Sequence, residues 1–254
     1  MDRSAPGSDG WFDEHVAATY DADSPEMFDP GVIQPAIERL VELASGGQAL
    51  EFAIGTGRVA LPLAARGVRV SGIDLSAAMV ERLRAKPGGD PASIPVAIGD
   101  IATTRVAGAG SFSLVYLVFN TIMNLTTQDA QVACFSNAAA HLAPGGFFVI
   151  ETSVPALRRL PRGERFVPFS VTPEHIGIDE YDVAGQGLIS HHTTFREGVA
   201  ERASVPFRYV WPAELDLMAR IAGMRLRHRW ADWSHTPFTN ESESHVSVWE
   251  RPGD

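Results

Sequence analysis

The chain has 254 residues, a formal net charge of −10, 45 % hydrophobic residues and one cysteine, Cys134. An acid excess without a basic stripe argues against nucleic acid or an anionic membrane as partner, and a lone cysteine excludes both an intrachain disulfide and a thiolate metal cluster. No apolar run is long enough to cross a bilayer, and the polar, turn-rich first ten residues lack the apolar middle of a signal peptide; the expectation is a cytoplasmic protein with a small-molecule partner.

Residues 1–10 are expected to be mobile. A short helix is expected over Trp11–Tyr20, and a better one over Pro35–Leu43, where Ile37, Leu40 and Val41 share a face before Gly46-Gly47 stops it. A regular alternation follows. Residues 48–53 read as a strand, 57–66 as a helix, and Val68–Asp74 as a second strand. Ser76 caps a helix to about Ala85. Pro95–Ile98 is a short third strand and Phe112–Val118 a fourth. Thr127 or Asp129 opens a helix to about His141, and Pro144-Gly145-Gly146 turns into a fifth strand, Phe147–Glu151. Strands alternating with helices indicate a mostly parallel sheet covered on both faces.

The rhythm changes after residue 153. Phe166–Val171, Ile176–Val183, Leu188–Phe195 and Ala200–Val210 read as strands joined by turns at Gly185-Gln186-Gly187 and Glu197-Gly198, an antiparallel meander with Pro206 near an edge. A helix, Pro212–Ala222, and two strands, Arg225–Arg229 and His245–Glu250, close the chain. The expected organisation is an N-terminal helical segment (1–44), a core formed by 45–153 and 211–254, and an inserted β meander (154–210) that roofs an acceptor site, meets a second copy in a homodimer, or both.

Ligands of open parallel sheets bind beyond the carboxyl ends of the strands. Those ends carry Glu51, Asp74, Asp100, Asn120 and Glu151. Behind Glu51 comes Gly55-Thr56-Gly57, a turn whose glycines let backbone approach a ligand. A carboxylate ahead of that turn is poorly placed for a diphosphate and well placed for a cation or a hydroxyl.

With Leu50–Gly57, Gly72-Ile73-Asp74-Leu75-Ser76, Gly99-Asp100-Ile101 and Leu142-Ala143-Pro144-Gly145-Gly146 in this order, the chain resembles the class I S-adenosylmethionine-dependent methyltransferases over residues 45–152 and the terminal helix and strands. The resemblance implies an α/β fold: a Rossmann-like seven-stranded, mostly parallel sheet with its last strand antiparallel, plus the inserted meander. It implies S-adenosylmethionine as cofactor. Gly55, Thr56 and Gly57 would border its methionine part, with Glu51 supporting the loop. Asp74 would take both ribose hydroxyls, since a carboxylate's two oxygens suit a vicinal diol. Leu75 and Met79 would cover the adenine, Asp100 and Ile101 would pair with it, the Leu117 carbonyl would face the ammonium, and Tyr20 would close over from the N-terminal segment. Arg58 either pairs with a carboxylate or is solvated.

The acceptor side rests on less. The Asn120–Asn124 segment should rim the pocket, in a layout similar to bacterial natural-product and sugar-amine methyltransferases, some of which have a histidine near the position of Asn124. His192 and Asn124 are the candidate catalytic groups. Asn120, Tyr181, His191, Tyr209, Trp230 and Trp233 are candidate acceptor contacts, aromatic walls suiting a planar or cationic molecule. His191 and His192 must point to opposite faces of the meander. No metal-ligand cluster is evident, so transfer to nitrogen or oxygen without a metal is expected. Two alternatives stay open: a non-catalytic protein that binds the cofactor, and a nicotinamide-dependent oxidoreductase, for which Gly55-x-Gly57-x-x-Ala60 and Asp74 would also serve.

Overall fold

A computed structural model describes residues 2–3, 11–23, 25–196 and 199–253. Residues 2 and 3 form a two-residue strand, β1 (Asp2–Arg3); of the N-terminal stretch expected to be mobile, residues 1 and 4–10 lie outside the described residues, as does the expected turn at Glu197-Gly198. Helix α1 spans Glu14–Asp23 and α2 spans Pro30–Ala44. Helix α2 starts five residues before the expected Pro35. The Asp29 side chain accepts from the Gly31 amide and Pro30 fills the first turn, where a missing N–H costs nothing.

The alternation then follows: β2 (Gln48–Phe52), α3 (Ala60–Ala65), β3 (Arg69–Asp74), α4 (Ala77–Arg84), β4 (Val96–Ile98), β5 (Phe112–Leu117), α5 (Gln128–His141) and β6 (Leu142–Ser153). Ser76 and Thr127 cap α4 and α5 through their side chains. Helix α3 is shorter than expected, because Gly57 holds a left-handed φ of 80° and the loop runs on to Val59. Strand β6 begins at Leu142, which pairs with Phe112 before the register shifts, so the Pro144-Gly145-Gly146 turn falls inside the ladder.

Four antiparallel strands come next: β7 (Phe166–Val171), β8 (His175–Asp182), β9 (Gly187–Arg196) and β10 (Val199–Arg208). With β1 they form a sheet ordered β1-β10-β9-β8-β7. Among the described residues β1 covers β10 only at Arg202 and Ala203, so Pro206 is paired there on one side, as suits a residue without an N–H. Helix α6 (Pro212–Ile221), β11 (Arg225–Trp230) and β12 (Ser244–Glu250) finish the chain. The main sheet is ordered β11-β12-β6-β5-β2-β3-β4, parallel except that β12 runs antiparallel to both neighbours.

Side chains alternate across this sheet and fill two cores. Leu50, Phe52, Phe148 and Trp249 pack with α5 and α6; Ala49, Leu114, Tyr116 and Val248 lie on the other face with α2 and α3. A polar residue at a strand's carboxyl end is therefore held by packed neighbours on both faces.

Candidate functional site

A cavity of about 430 Å³ opens at the carboxyl ends of β2, β3 and β5, a size that admits a nucleoside-sized ligand. Glu51, Asp74 and Asp100 all reach it. Glu51 is almost wholly buried, and the Tyr116 hydroxyl donates to its Oε2 at 2.9 Å. Tyr116 is its register partner on β5, so sheet geometry fixes this contact. Burial pushes the Glu51 carboxyl up to about 8; Tyr116 and Arg58 oppose the rise and Asp74 adds to it. Such a group favours a cation as neighbour.

Asp74 is 7 % exposed. Its Oδ2 accepts from the Gly55 amide at 2.6 Å and its Oδ1 from the Ser76 amide at 2.8 Å. Two carboxylate oxygens side by side suit two adjacent hydroxyls. Gly55 has a φ of 54°, and a Cβ there would meet only the Met79 methyl at 3.5 Å, so the demand for glycine is conformational. At Gly57 it is also steric, since a Cβ would lie 2.8 Å from Leu83 Cδ1. Gly55 and Thr56 line the cavity, whereas Gly57 faces α4. Leu75, 47 % exposed, and buried Met79 supply an apolar wall beside Asp100 and Ile101. Leu117 is wholly buried behind Val118 and Phe119, which do line the cavity.

The N-terminal segment covers this space. Trp11, Phe12 and Tyr20 line it, and Tyr20 packs edge-on against Phe12. The cover is fastened by Asp21, which accepts from the Thr56 hydroxyl at 2.7 Å and pairs with Lys86 at 2.5 Å. Lys86 also donates to the Thr56 carbonyl. Arg58 forms no ion pair among the described residues; it lies over the Phe119 ring, 5.3 Å from the centroid.

A second cavity, of about 520 Å³, lies between the end of β6, the second sheet and the segment before β12. Asn120 and Met123 line it, while their neighbours Phe119, Thr121 and Asn124 line the first. One turn thus separates the two spaces. Phe119 and Asn120 hold successive left-handed φ values of 57° and 59°. Two adjacent non-glycine residues in that region store on the order of 1 kcal/mol or more each, and such strain persists only where its surroundings enforce it. Here they do: Glu151 accepts from the Phe119 amide at 3.1 Å and, on its other oxygen, from the Trp233 indole at 2.8 Å, while the Asn120 side chain accepts from the Ser153 amide at 2.6 Å.

Of the expected acceptor contacts, the second cavity gathers Asn120, Tyr181 and Tyr209, and adds Asp179, Ser190 and Phe207. The others lie elsewhere. Asn124 belongs to the first cavity. His191 faces the far side of the second sheet, against Glu180 and Ser204. His192 lines neither cavity but contacts Ser190, which lines the second. Trp230 is stacked between His228 and His235, and Trp233 is 9 % exposed in the core beside Glu151. The aromatic loop after β11 therefore forms a packed cluster, and its later residues 240–243 reach the second cavity instead.

A family described as a methyltransferase domain matches residues 49–146. The CcbJ methyltransferase from Streptomyces caelestis is 34 % identical, with a TM-score of 0.80 over 94 % of this chain and 96 % of that one. A cypemycin N-terminal methyltransferase from a Streptomyces species is 26 % identical over 94 % of this chain and 97 % of its own. CalS10, an amino pentose methyltransferase from Micromonospora echinaspora solved with S-adenosylmethionine, is 19 % identical with a TM-score of 0.65, covering 92 % and 95 % of the two chains.

Proposed function

Because the chain belongs to the S-adenosylmethionine-dependent methyltransferase family, we propose that it methylates an amine nitrogen of a small natural-product-like molecule, with the cofactor in the first cavity and the acceptor in the second. The observation that carries this reading is the pair of cavities meeting at the strained Phe119–Asn120 turn, one edged by three acids and the other walled by Tyr181, Tyr209 and Phe207. The choice of nitrogen draws on the cypemycin enzyme, which is named as an N-terminal methyltransferase. It also draws on Asp179, a carboxylate in the second cavity that makes no ion pair among the described residues.

The residues of the first cavity fit the cofactor. Asp74 holds the ribose hydroxyls with its two carboxylate oxygens. Leu75 and Met79 cover one side of the adenine, and Asp100 and the Ile101 amide address its edge. Glu51 and the Gly55-Thr56 backbone lie toward the methionine part. When bound, S-adenosylmethionine supplies a methyl group already activated for displacement at carbon. What remains for the protein is alignment of the acceptor and exclusion of water, and alignment alone can supply several kcal/mol of a barrier. The Phe119–Asn120 turn sets the approach between the two spaces, and Tyr20 and α1 close the outer side. A neutral amine carries its own lone pair, so no metal is required, and a chelator should leave the rate unchanged. In this division residues 45–153 and 211–254 hold the cofactor, 154–210 roof the acceptor, and 1–44 form the cover. A cytoplasmic location suits the single, buried Cys134.

The test is incubation of the full chain with methyl-labelled S-adenosylmethionine and a metabolite extract of the host. Label is expected on the nitrogen of a small amine. Label on oxygen or carbon would overturn the choice of atom. No label, with adenosylhomocysteine still bound, would make the protein a non-catalytic binder.

A further inference from the structure

The second sheet carries a row of polar side chains that the reading above does not use. Strands β8 and β9 pair Asp179 with Ser190 and Gly177 with His192, so Asp179, Ser190 and His192 share the face that looks into the second cavity. Asp179 is hydrogen-bonded to Ser190. Ser190 Oγ lies 3.2 Å from His192 Nε2, His192 Nδ1 lies 3.0 Å from His175 Nε2, and His175 Nδ1 lies 2.9 Å from Ser170 Oγ. His175 sits at the β7–β8 hairpin, beside the exposed residues 171–174.

Donor and acceptor rules allow one continuous outward arrangement when Asp179 carries a proton and both imidazoles are neutral. The Asp179 carboxyl donates to Ser190, the Ser190 hydroxyl to His192 Nε2, His192 Nδ1–H to His175 Nε2, and His175 Nδ1–H to Ser170 Oγ. Every donor then points away from the cavity, toward the hairpin. A sheet has no structural need for two imidazoles in series beneath a half-buried acid.

We propose that Asp179 is the base that takes the proton from the acceptor's ammonium group, and that Ser190, His192 and His175 relay this proton to the hairpin surface. The proposal rests on the second cavity being the acceptor chamber. An alkylamine enters as R–NH3+, attracted by Asp179 and by the Tyr181 and Tyr209 rings. One N–H bond breaks; the proton goes to the Asp179 carboxylate and the electron pair stays on nitrogen. That pair forms the N–CH3 bond as the methyl–sulfur bond of S-adenosylmethionine breaks and sulfur keeps its electrons, leaving adenosylhomocysteine and a methylated ammonium. Asp179 then returns to its ionised form by passing its proton to Ser190, which passes its own to His192 Nε2. His192 releases one from Nδ1 to His175, and His175 releases one toward Ser170 and water. Asp179 touches the acceptor, while the histidines act through Ser190 as positioning and relay groups.

Burial lowers the basicity of His192, and its neighbours His175 and His191 lower it further, which favours the neutral imidazole. Beside it β7 presents Phe169 and β10 presents Ala203, neither of which titrates.

The test uses the full chain saturated with adenosylhomocysteine, and cyclohexylamine and cyclohexanol as probes of like shape. Cyclohexylamine should bind wild type at least tenfold more tightly than cyclohexanol, and Asp179→Asn should abolish the preference. Nitrogen NMR of the imidazoles should show Nδ1–H tautomers at both His192 and His175. Cyclohexylamine should shift the His192 resonances in wild type and not in Ser190→Ala, which should still bind the amine. Equal binding of amine and alcohol, a preference that survives Asp179→Asn, or an Nε2–H tautomer at His192 would overturn the proposal. If Asp179→Asn does not fold, the wild-type preference and the tautomers decide. Loss of adenosylhomocysteine binding by wild type would instead defeat the reading of the first cavity.

Discussion

Replacing Glu51 by glutamine should stabilise the ligand-free protein at alkaline pH. Glu51 is 3 % exposed, and burial raises its carboxyl from 4.5 to about 8. Between those values the folded chain keeps a proton that the unfolded chain has released. Stability therefore falls as pH rises through this window, at up to about 1.4 kcal/mol per pH unit, and levels off above it. The whole separation corresponds to about 5 kcal/mol, an upper bound because water in the cavity reduces it. Glutamine keeps an oxygen that can accept from Tyr116 and has nothing to ionise. Urea denaturation of both proteins at pH 5.5, 7 and 8.5 measures the effect, and the difference between them isolates Glu51 from every other titrating group. Wild type should lose several kcal/mol relative to Glu51→Gln across the series. The cofactor's ammonium should draw this proton off, so calorimetry with adenosylhomocysteine at pH 7, in buffers of different ionisation heat, should show proton release by wild type and none by the variant. Parallel denaturation curves together with buffer-independent binding heats would refute the reasoning.

Asp21→Ala removes the fastening between α1 and the glycine loop; adenosylhomocysteine should dissociate several-fold faster in stopped flow, while the unfolding free energy changes by no more than about 1 kcal/mol because the Lys86 pair is partly exposed. Glu214→Gln should cost about 3–5 kcal/mol in urea denaturation, because Arg208, whose side chain is 6 % exposed, loses its only ionic partner among the described residues. The pH dependence there has the opposite sign to that of Glu51. Burial alone would raise the Glu214 carboxyl, but hydrogen bonds from Arg208, Gln186 and Gln128 hold it below its ordinary value, so its contribution fades as pH falls below about 4.5. Gly57→Ala forces a left-handed alanine against Leu83 and should cost about 1–2 kcal/mol or more, read as a lower Tm.

Features set by local chemistry were legible in the sequence. The strands of the main sheet, the caps at Ser76 and Thr127 and the acids at the ends of β2, β3 and β4 follow from hydrophobic runs, hydroxyl side chains and turn residues. Pro35 misled because proline marks the first turn so often; the stronger signal, Asp29 followed by Pro30, lay just upstream. The second cavity was legible only in Asn120, Tyr181 and Tyr209. Its walls come from residues near 120, 155, 180, 207 and 241, joined only by tertiary packing. Nothing in Phe119 or Asn120 announces a left-handed backbone; Glu151 and Ser153 impose it from another strand. Trp230 and Trp233 read as pocket walls from their position after a strand, but they pack with His228, His235 and Glu151 instead. Alternation along β9 gave the opposite facing of His191 and His192; which of them adjoins a cavity depended on how the second sheet sits over β6.

The central claim is that an acid-edged crevice holds a sulfonium nucleoside, and calorimetry tests it most directly. Wild type should bind adenosylhomocysteine one to one and should not bind NAD. Asp74→Ala should weaken that binding at least tenfold, about 1.4 kcal/mol, while remaining folded by circular dichroism. Undiminished affinity in the folded variant, or tight binding of NAD by wild type, would contradict the account.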